Sequence, residues 1–325
     1  MKKYVGKLKG FSFFDTFKHA SVYFIGTILM QGLGIISLPV ITYFLDEAQY
    51  GIASIYLTYS TMVAVIFAAN LYSPISRYYF EKDAQLNGFL TTIFVAMNIS
   101  FFLFAIPTYI WREALASTIN LPVETIGYML IFAYTIMIWS IYHQLRVCER
   151  KSKEVTIAQI ILQYSKFVFT VVGLWWIGKN VSNAYLGKLI GEVVAASIVG
   201  IWVLWTLRKH WDWAGMRWEQ LRYALHFSLP HIPYALGGYF LAYFDAWIIN
   251  ASIGNEDAGL YSFAYKIGFL MFGLINAFQN ASLSGFTKMM DERNGDAIST
   301  QVLSIHKLTV VGAMFLILFS VDVGT

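Results

Sequence analysis

The sequence predicts an all-α fold, a polytopic transmembrane helix bundle of about nine spans. Three observations carry that expectation. Of 325 residues, 58% are apolar and only 13% are charged, about half the charged share of an ordinary soluble domain. A soluble core of this size could not hide so much apolar surface behind so little charge. The apolar residues also come in runs of roughly 20 or more, the length of a membrane helix, and not in the short alternating segments of a membrane strand. Finally, the cations fall on alternate sides of those runs. A soluble enzyme, a disordered chain and a nucleic-acid binder are excluded on these grounds.

The runs lie at 17–45, 51–72, 88–110, 125–147, 155–178, 184–207, 225–252, 259–282 and 301–320. The first follows Lys2, Lys3, Lys7 and Lys9, yet it is far longer than the roughly 7–15 residues of a signal h-region, so it reads as a retained membrane helix. Eighteen of the 23 lysines and arginines belong to the side of the N-terminus and the even-numbered gaps, counting Lys18, Arg146 and Lys307 near the ends of their runs, against Arg112 and Lys179 on the other side. By the positive-inside rule the N-terminus is cytoplasmic, in a multi-pass protein of the cell inner membrane. Connections on the outer side are short, at 46–50 and 253–258. Between spans six and seven, Trp211, Trp213 and Trp218 stand among Arg208, Lys209 and Arg217. That mixture suits a helix lying in the headgroup layer, in contact with membrane lipids.

Residues 17–60 can be laid over 221–268 as an internal repeat. Each copy has a long span, a short acidic turn, then a glycine opening the next helix. Gly51 matches Gly259 and Ser54 matches Ser262. An even number of helices separates the copies, so the repeat is parallel, one of the known transporter layouts. The expected organisation is a first six-span bundle over 1–207, an interfacial linker over 208–221 and a partial second bundle over 222–325.

The stretch from Leu38-Pro39 to Phe44-Leu45, then Tyr50-Gly51, then Arg77-Tyr78-Tyr79-Phe80-Glu81, resembles the N-terminal half of bacterial polysaccharide flippases of the O-antigen type. Leu229-Pro230, Phe244-Asp245-Ala246-Trp247-Ile248-Ile249 and the run from Ala258-Gly259 to Tyr265-Lys266 resemble the opening of their second bundle. Those proteins belong to the multidrug/oligosaccharidyl-lipid/polysaccharide exporter superfamily. The resemblance implies export of undecaprenyl-diphosphate-linked oligosaccharide by alternating access during surface polysaccharide or lipopolysaccharide biosynthesis. It leaves room for a coupling ion and implies no cofactor. Family members usually carry twelve to fourteen spans, so the second bundle is expected to be cut short.

Charges inside spans are costly and tend to face a cavity or one another. Lys166 stands near the middle of span five with no local partner and reads as a cavity residue. Lys188 and Glu192, four apart, read as a self-neutralising structural pair. Lys188 also lies within Gly187-x-x-x-Gly191, a close-packing pattern. Asp245 and Lys266 stand at matching offsets from the 253–258 turn and are expected to pair across it, lining the cavity. His231, between Pro230 and Pro233, is a further cavity candidate. Arg77 falls at the cytoplasmic membrane edge, and the resemblance implies diphosphate capture there, for which a bidentate guanidinium suits. Pro39, Pro230 and Pro233 occupy equivalent helices and read either as static kinks or as hinges.

Histidine spacing shows no metal motif, and no nucleophile–base pattern or phosphate loop is present. The protein is therefore expected not to be an enzyme. Three in-span lysines against two acids favour an anionic cargo over the alternative, a multidrug or cation antiporter of the same superfamily.

Overall fold

The first six apolar runs become helices that are each long and apolar enough to cross a membrane. A computed structural model describes residues 13–81, 85–177 and 181–266, together with Val310 and Met314. Most of the eighth expected span, and all of the ninth but Val310 and Met314, lie outside the described residues. Helix α1 covers Phe13–Phe44, α2 Glu47–Phe67, α3 Ile75–Tyr78, α4 Leu86–Ile110, α5 Arg112–Thr118, α6 Val123–Cys148, α7 Ser152–Ile177 and α8 Tyr185–Leu207. A 3-10 turn follows at Arg208–His210, then α9 over Trp218–Ser252 and α10 over 255–266. No strand occurs among the described residues. The protein is an all-α membrane bundle.

By its contacts the chain divides into two compact units. One comprises Ser37–Lys151 and Ile161–Phe263. Within it α6 is the central helix, packed against α2, α4 and α8. Ile138, Ile141, Tyr142 and Leu145 on α6 are fully enclosed, as are Tyr56 on α2 and Met97 on α4. The other unit comprises Met1–Ile36, Ser152–Ile160 and Ala264–Thr325, and inside it Gly26 lies directly against the Thr156 side chain.

Several helices are apolar on both faces. Leu103 is 66% exposed, Trp176 84% and Leu241 88%, which water would penalise and hydrocarbon does not. Helices approach closely where glycine removes the side chain. Gly187 faces the Gly173 backbone and Gly191 faces that of Phe169, so α7 and α8 meet main chain to main chain.

Helix α2 starts at Asp46, whose carboxylate accepts from Gln49 N at 2.8 Å, a side-chain cap of one of the unpaired N-terminal donors. Two sequence expectations need correction. Span two was expected to reach residue 72, but the helix stops at Phe67. Ala69 and Asn70 take φ of 49° and 50° there, left-handed values that a right-handed helix cannot continue through. The 208–221 linker was expected as a helix lying in the headgroup layer. Instead, after its 3-10 turn, it runs as a non-helical segment to Arg217 and docks on α4.

That docking is polar and specific. Asp212 N donates to Thr91 Oγ1 at 2.8 Å, and Gln220 Oε1 accepts from Thr92 Oγ1 at 2.9 Å. Trp211 packs on Phe94 with ring centroids 4.5 Å apart, and Gly88 meets the Gly215 backbone. Trp213 and Trp218 remain exposed, available to the membrane interface.

Candidate functional site

The bend after α2 places α3 beside α4 and α9. Tyr78 stacks on Phe89 at 3.7 Å between centroids, nearly parallel, and Tyr223 of α9 meets Tyr78 edge-on at 5.5 Å. This aromatic clamp fixes the position of Arg77. Its guanidinium carbon lies 5.6 Å from the centroid of Phe227, within the range of a cation–π contact. Phe227 in turn stacks toward His231 at 6.0 Å, and His231 meets Tyr234 at 4.9 Å. A cation and three rings thus form a ladder running along one side of α9. Arg77 is exposed, Phe227 and His231 are half-buried, and Tyr234 is 77% exposed. Two residues singled out from the sequence, Arg77 and His231, are brought into one array. Phe227 and Tyr234 were missed, although their spacing from His231 on a proline-containing helix was a readable signal.

Lys166 occupies a different place. It opens on a cavity of about 60 Å³ between α6, α7 and α8, lined by Phe132, Thr135, Trp139, Leu162 and Gly200 among others. Its ammonium lies 5.5 Å from the Phe132 centroid. Lys188 and Glu192 are buried on α8, with Nζ 2.9 Å from Oε1.

At the Asp46 end of the bundle, Asp245 Oδ2 accepts from Tyr261 OH at 2.9 Å. That partner was not foreseen from the sequence. Lys266, half-buried, closes the described part of α10. Near the same end three asparagines cross-link the 119–120 turn to the α9–α10 hairpin. Asn120 Nδ2 donates to Asn250 O at 3.2 Å, Asn250 Nδ2 to Ile119 O at 3.0 Å and Asn255 Nδ2 to Asn120 O at 3.1 Å. Beside them Gly51 and Gly259 touch through their backbones. At the opposite end, Glu149 is held below the usual carboxylate range. Burial there opposes ionisation, but the hydrogen bonds and positive charges of Arg146 and Lys151 outweigh it. Among the described residues, no three His, Cys, Asp or Glu side chains come together as a metal site.

Residues 16–289 match the family described as polysaccharide biosynthesis protein. The chain belongs to that family. It is also 21% identical over 288 residues to Lsg locus putative protein 1 of Haemophilus influenzae, covering 85% of this chain and 67% of that protein.

Among solved structures, it is similar to a MOP superfamily transporter from Pyrococcus furiosus. The TM-score is 0.62 at 16% identity, covering 94% of this chain and 72% of the other. That structure's description reports a binding pocket of reversed polarity. A MATE transporter in complex with MaL6 matches with a TM-score of 0.61 at 15% identity, covering 94% of this chain and 71% of that one. The fold of this family member is similar to that of the MOP superfamily and MATE transporters.

Proposed function

We propose that the protein translocates undecaprenyl-diphosphate-linked oligosaccharide from the cytoplasmic to the outer leaflet of the inner membrane, with its N-terminus in the cytoplasm. The observation that carries this reading is the ladder of Arg77, Phe227, His231 and Tyr234. Arginine can grip a diphosphate with two parallel hydrogen bonds. The exposed ring faces beyond it offer apolar platforms against which the C–H faces of sugar rings can pack. A headgroup entering at the Arg77 end would therefore meet its phosphate contact first and its sugar contacts next.

Asp245 and Lys266 would line the path toward the other end. Pro39, Pro230 and Pro233 would let equivalent helices bend as a six-span bundle over 1–207 rocks against the second over 222–325, joined by the 208–221 linker. The competing reading, a multidrug or cation antiporter, draws support from the MATE likenesses. It calls for acidic residues to dominate the pocket, whereas the ladder's fixed charge is positive.

Complementation of a flippase-null cell tests the proposal. Arg77→Ala should cut surface polysaccharide by roughly tenfold to a hundredfold, the loss expected on removing about 1.5–3 kcal/mol of charged hydrogen bonding. Arg77→Lys should fall between, and Tyr234→Ala should slow export without affecting insertion. Undiminished polysaccharide in Arg77→Ala, or drug efflux without complementation by the parent protein, would overturn the assignment. Orientation is tested by cysteine labelling in intact cells on a Cys148-free background, where 253–258 should react with an impermeant reagent and 146–153 should not.

A further inference from the structure

Helix α9 is held at two places. At its base, Gln220 accepts from Thr92, Tyr223 meets Tyr78, and Ala224 and Ser228 are fully enclosed. Near its other end Ala246 and Asn250 are buried again. None of the described side chains from Leu229 to Asp245 is buried. That middle stretch carries Pro230 and Pro233, each of which removes a backbone hydrogen bond and lets a helix bend.

The two anchors differ in kind. The base continues directly from the 208–217 segment, which Asp212 and Trp211 tie to α4. The far anchor joins segments at least 130 positions apart, through the amides of Asn120, Asn250 and Asn255 and the carbonyls of Ile119, Asn120 and Asn250. Beneath those bonds Ile55, Leu121, Ala246 and Ala258 make a small apolar cluster. The junction is also imperfect. Oδ1 of Asn250 and Oδ1 of Asn255 are buried with no hydrogen-bond partner among the described residues. A dry, unsatisfied acceptor offsets much of what a neutral hydrogen bond contributes. Separation would wet both oxygens, so it costs less than three bonds alone would suggest.

We propose that Asn120, Asn250 and Asn255 form a latch on a movable arm. The arm is the part of α9 beyond Pro233 with the start of α10; it swings about the prolines, away from α2 and the 119–120 turn. The base of α9 stays fixed on α4. In the orientation proposed above, the latch closes the outer face of the transporter. The inference rests on the alternating-access reading and adds to it the residues that hold this end shut.

The test is the rate at which a soluble maleimide labels Leu121→Cys in the purified protein. Leu121 is 6% exposed, so labelling requires opening, and its rate tracks the open fraction when reclosing is fast. The native Cys148, buried on α6, is read in the same sample by mass spectrometry and reports general loosening. Asn120 has φ 53°, which glycine adopts freely, so Asn120→Gly removes the amide bond and keeps the turn. It should speed labelling at position 121 by roughly two- to tenfold, the equivalent of one neutral hydrogen bond, with Cys148 unchanged. Adding Asn255→Ala should raise the rate further. Adding Pro230→Ala and Pro233→Ala to Asn120→Gly should instead slow it by at least about twofold, because the arm stiffens. An unchanged rate at position 121 in Asn120→Gly would overturn the latch, and so would equal acceleration at Cys148. Indifference to the prolines would reduce the effect to fraying of one turn and overturn the arm. Labelling needs no cargo, so complementation can fail while the latch stands, and a static Asp46 end would remove the latch without touching the Arg77 ladder.

Discussion

Placing a methyl group on Gly51 or Gly259 tests whether the contact between α2 and α10 is as close as its geometry says. A Cβ on Gly51 would fall on the carbonyl oxygen of Asn255, with the Asn255 carbonyl carbon at 2.9 Å and Gly259 N at 3.0 Å. One on Gly259 would fall on the carbonyl oxygen of Glu47, with the Glu47 carbon and Gly51 N both at 2.9 Å. The contact is reciprocal, as between two copies related by a two-fold axis.

All the obstructing atoms are backbone, so no side chain can swing aside and the helices must separate. That would loosen Ile55, Ala246 and Ala258, which pack together in one cluster. Overpacking of this kind costs about 1–3 kcal/mol, while a helical Gly→Ala change returns about 0.5–1 kcal/mol through the unfolded chain. The net loss for Gly51→Ala should be about 0.5–2 kcal/mol, read as a fall of a few degrees in the unfolding midpoint. Gly237→Ala is the control, because a Cβ there meets nothing within 4 Å, and it should be neutral or stabilising. Once one glycine is replaced the helices are already apart, so the double variant should cost less than the sum of the singles by at least about 0.5 kcal/mol. A Gly51→Ala protein as stable as the parent, or strictly additive costs, would refute the reasoning.

Three further outcomes are expected. Lys188→Met should destabilise by about 3–5 kcal/mol because it strands a buried carboxylate, and the Lys188→Met/Glu192→Leu double variant should recover much of that loss in thermal unfolding. Glu149 has a depressed folded pKa, so its stabilising contribution is fully present above the unfolded value of about 4.3 and is lost as pH falls through the lower folded value. The midpoint gap between the parent and Glu149→Gln should therefore hold at neutral pH and close below about pH 4; a gap that widens in acid would contradict the sign. Asp46→Ala should cost about 0.5–2 kcal/mol by uncapping α2, and Asp46→Asn should restore most of it.

Composition and run length determined that this chain is a helical membrane protein, because hydrocarbon admits only segments that satisfy their own backbone and show apolar side chains outward. Six of the expected spans are helices that meet the length and hydropathy of a crossing, since both properties are local. The glycine pattern at 187 and 191 likewise announced close packing, because a missing side chain is visible in one dimension.

What lay between elements was not legible in the same way. That Asp245 accepts from Tyr261, 16 residues on, depended on how α9 and α10 fold back on each other. The 208–221 segment carries the composition of a lipid-facing helix, yet hydrogen bonds to Thr91 and Thr92 on a helix more than a hundred positions earlier hold it on the bundle. Arg77 and His231 each stood out as a polar group near or within apolar sequence. Only the turn at Ala69 and Asn70, with its left-handed backbone, brings the first beside the ring that leads to the second. Local sequence sets what each helix must bury, but which helix supplies the partner is a long-range choice made by packing.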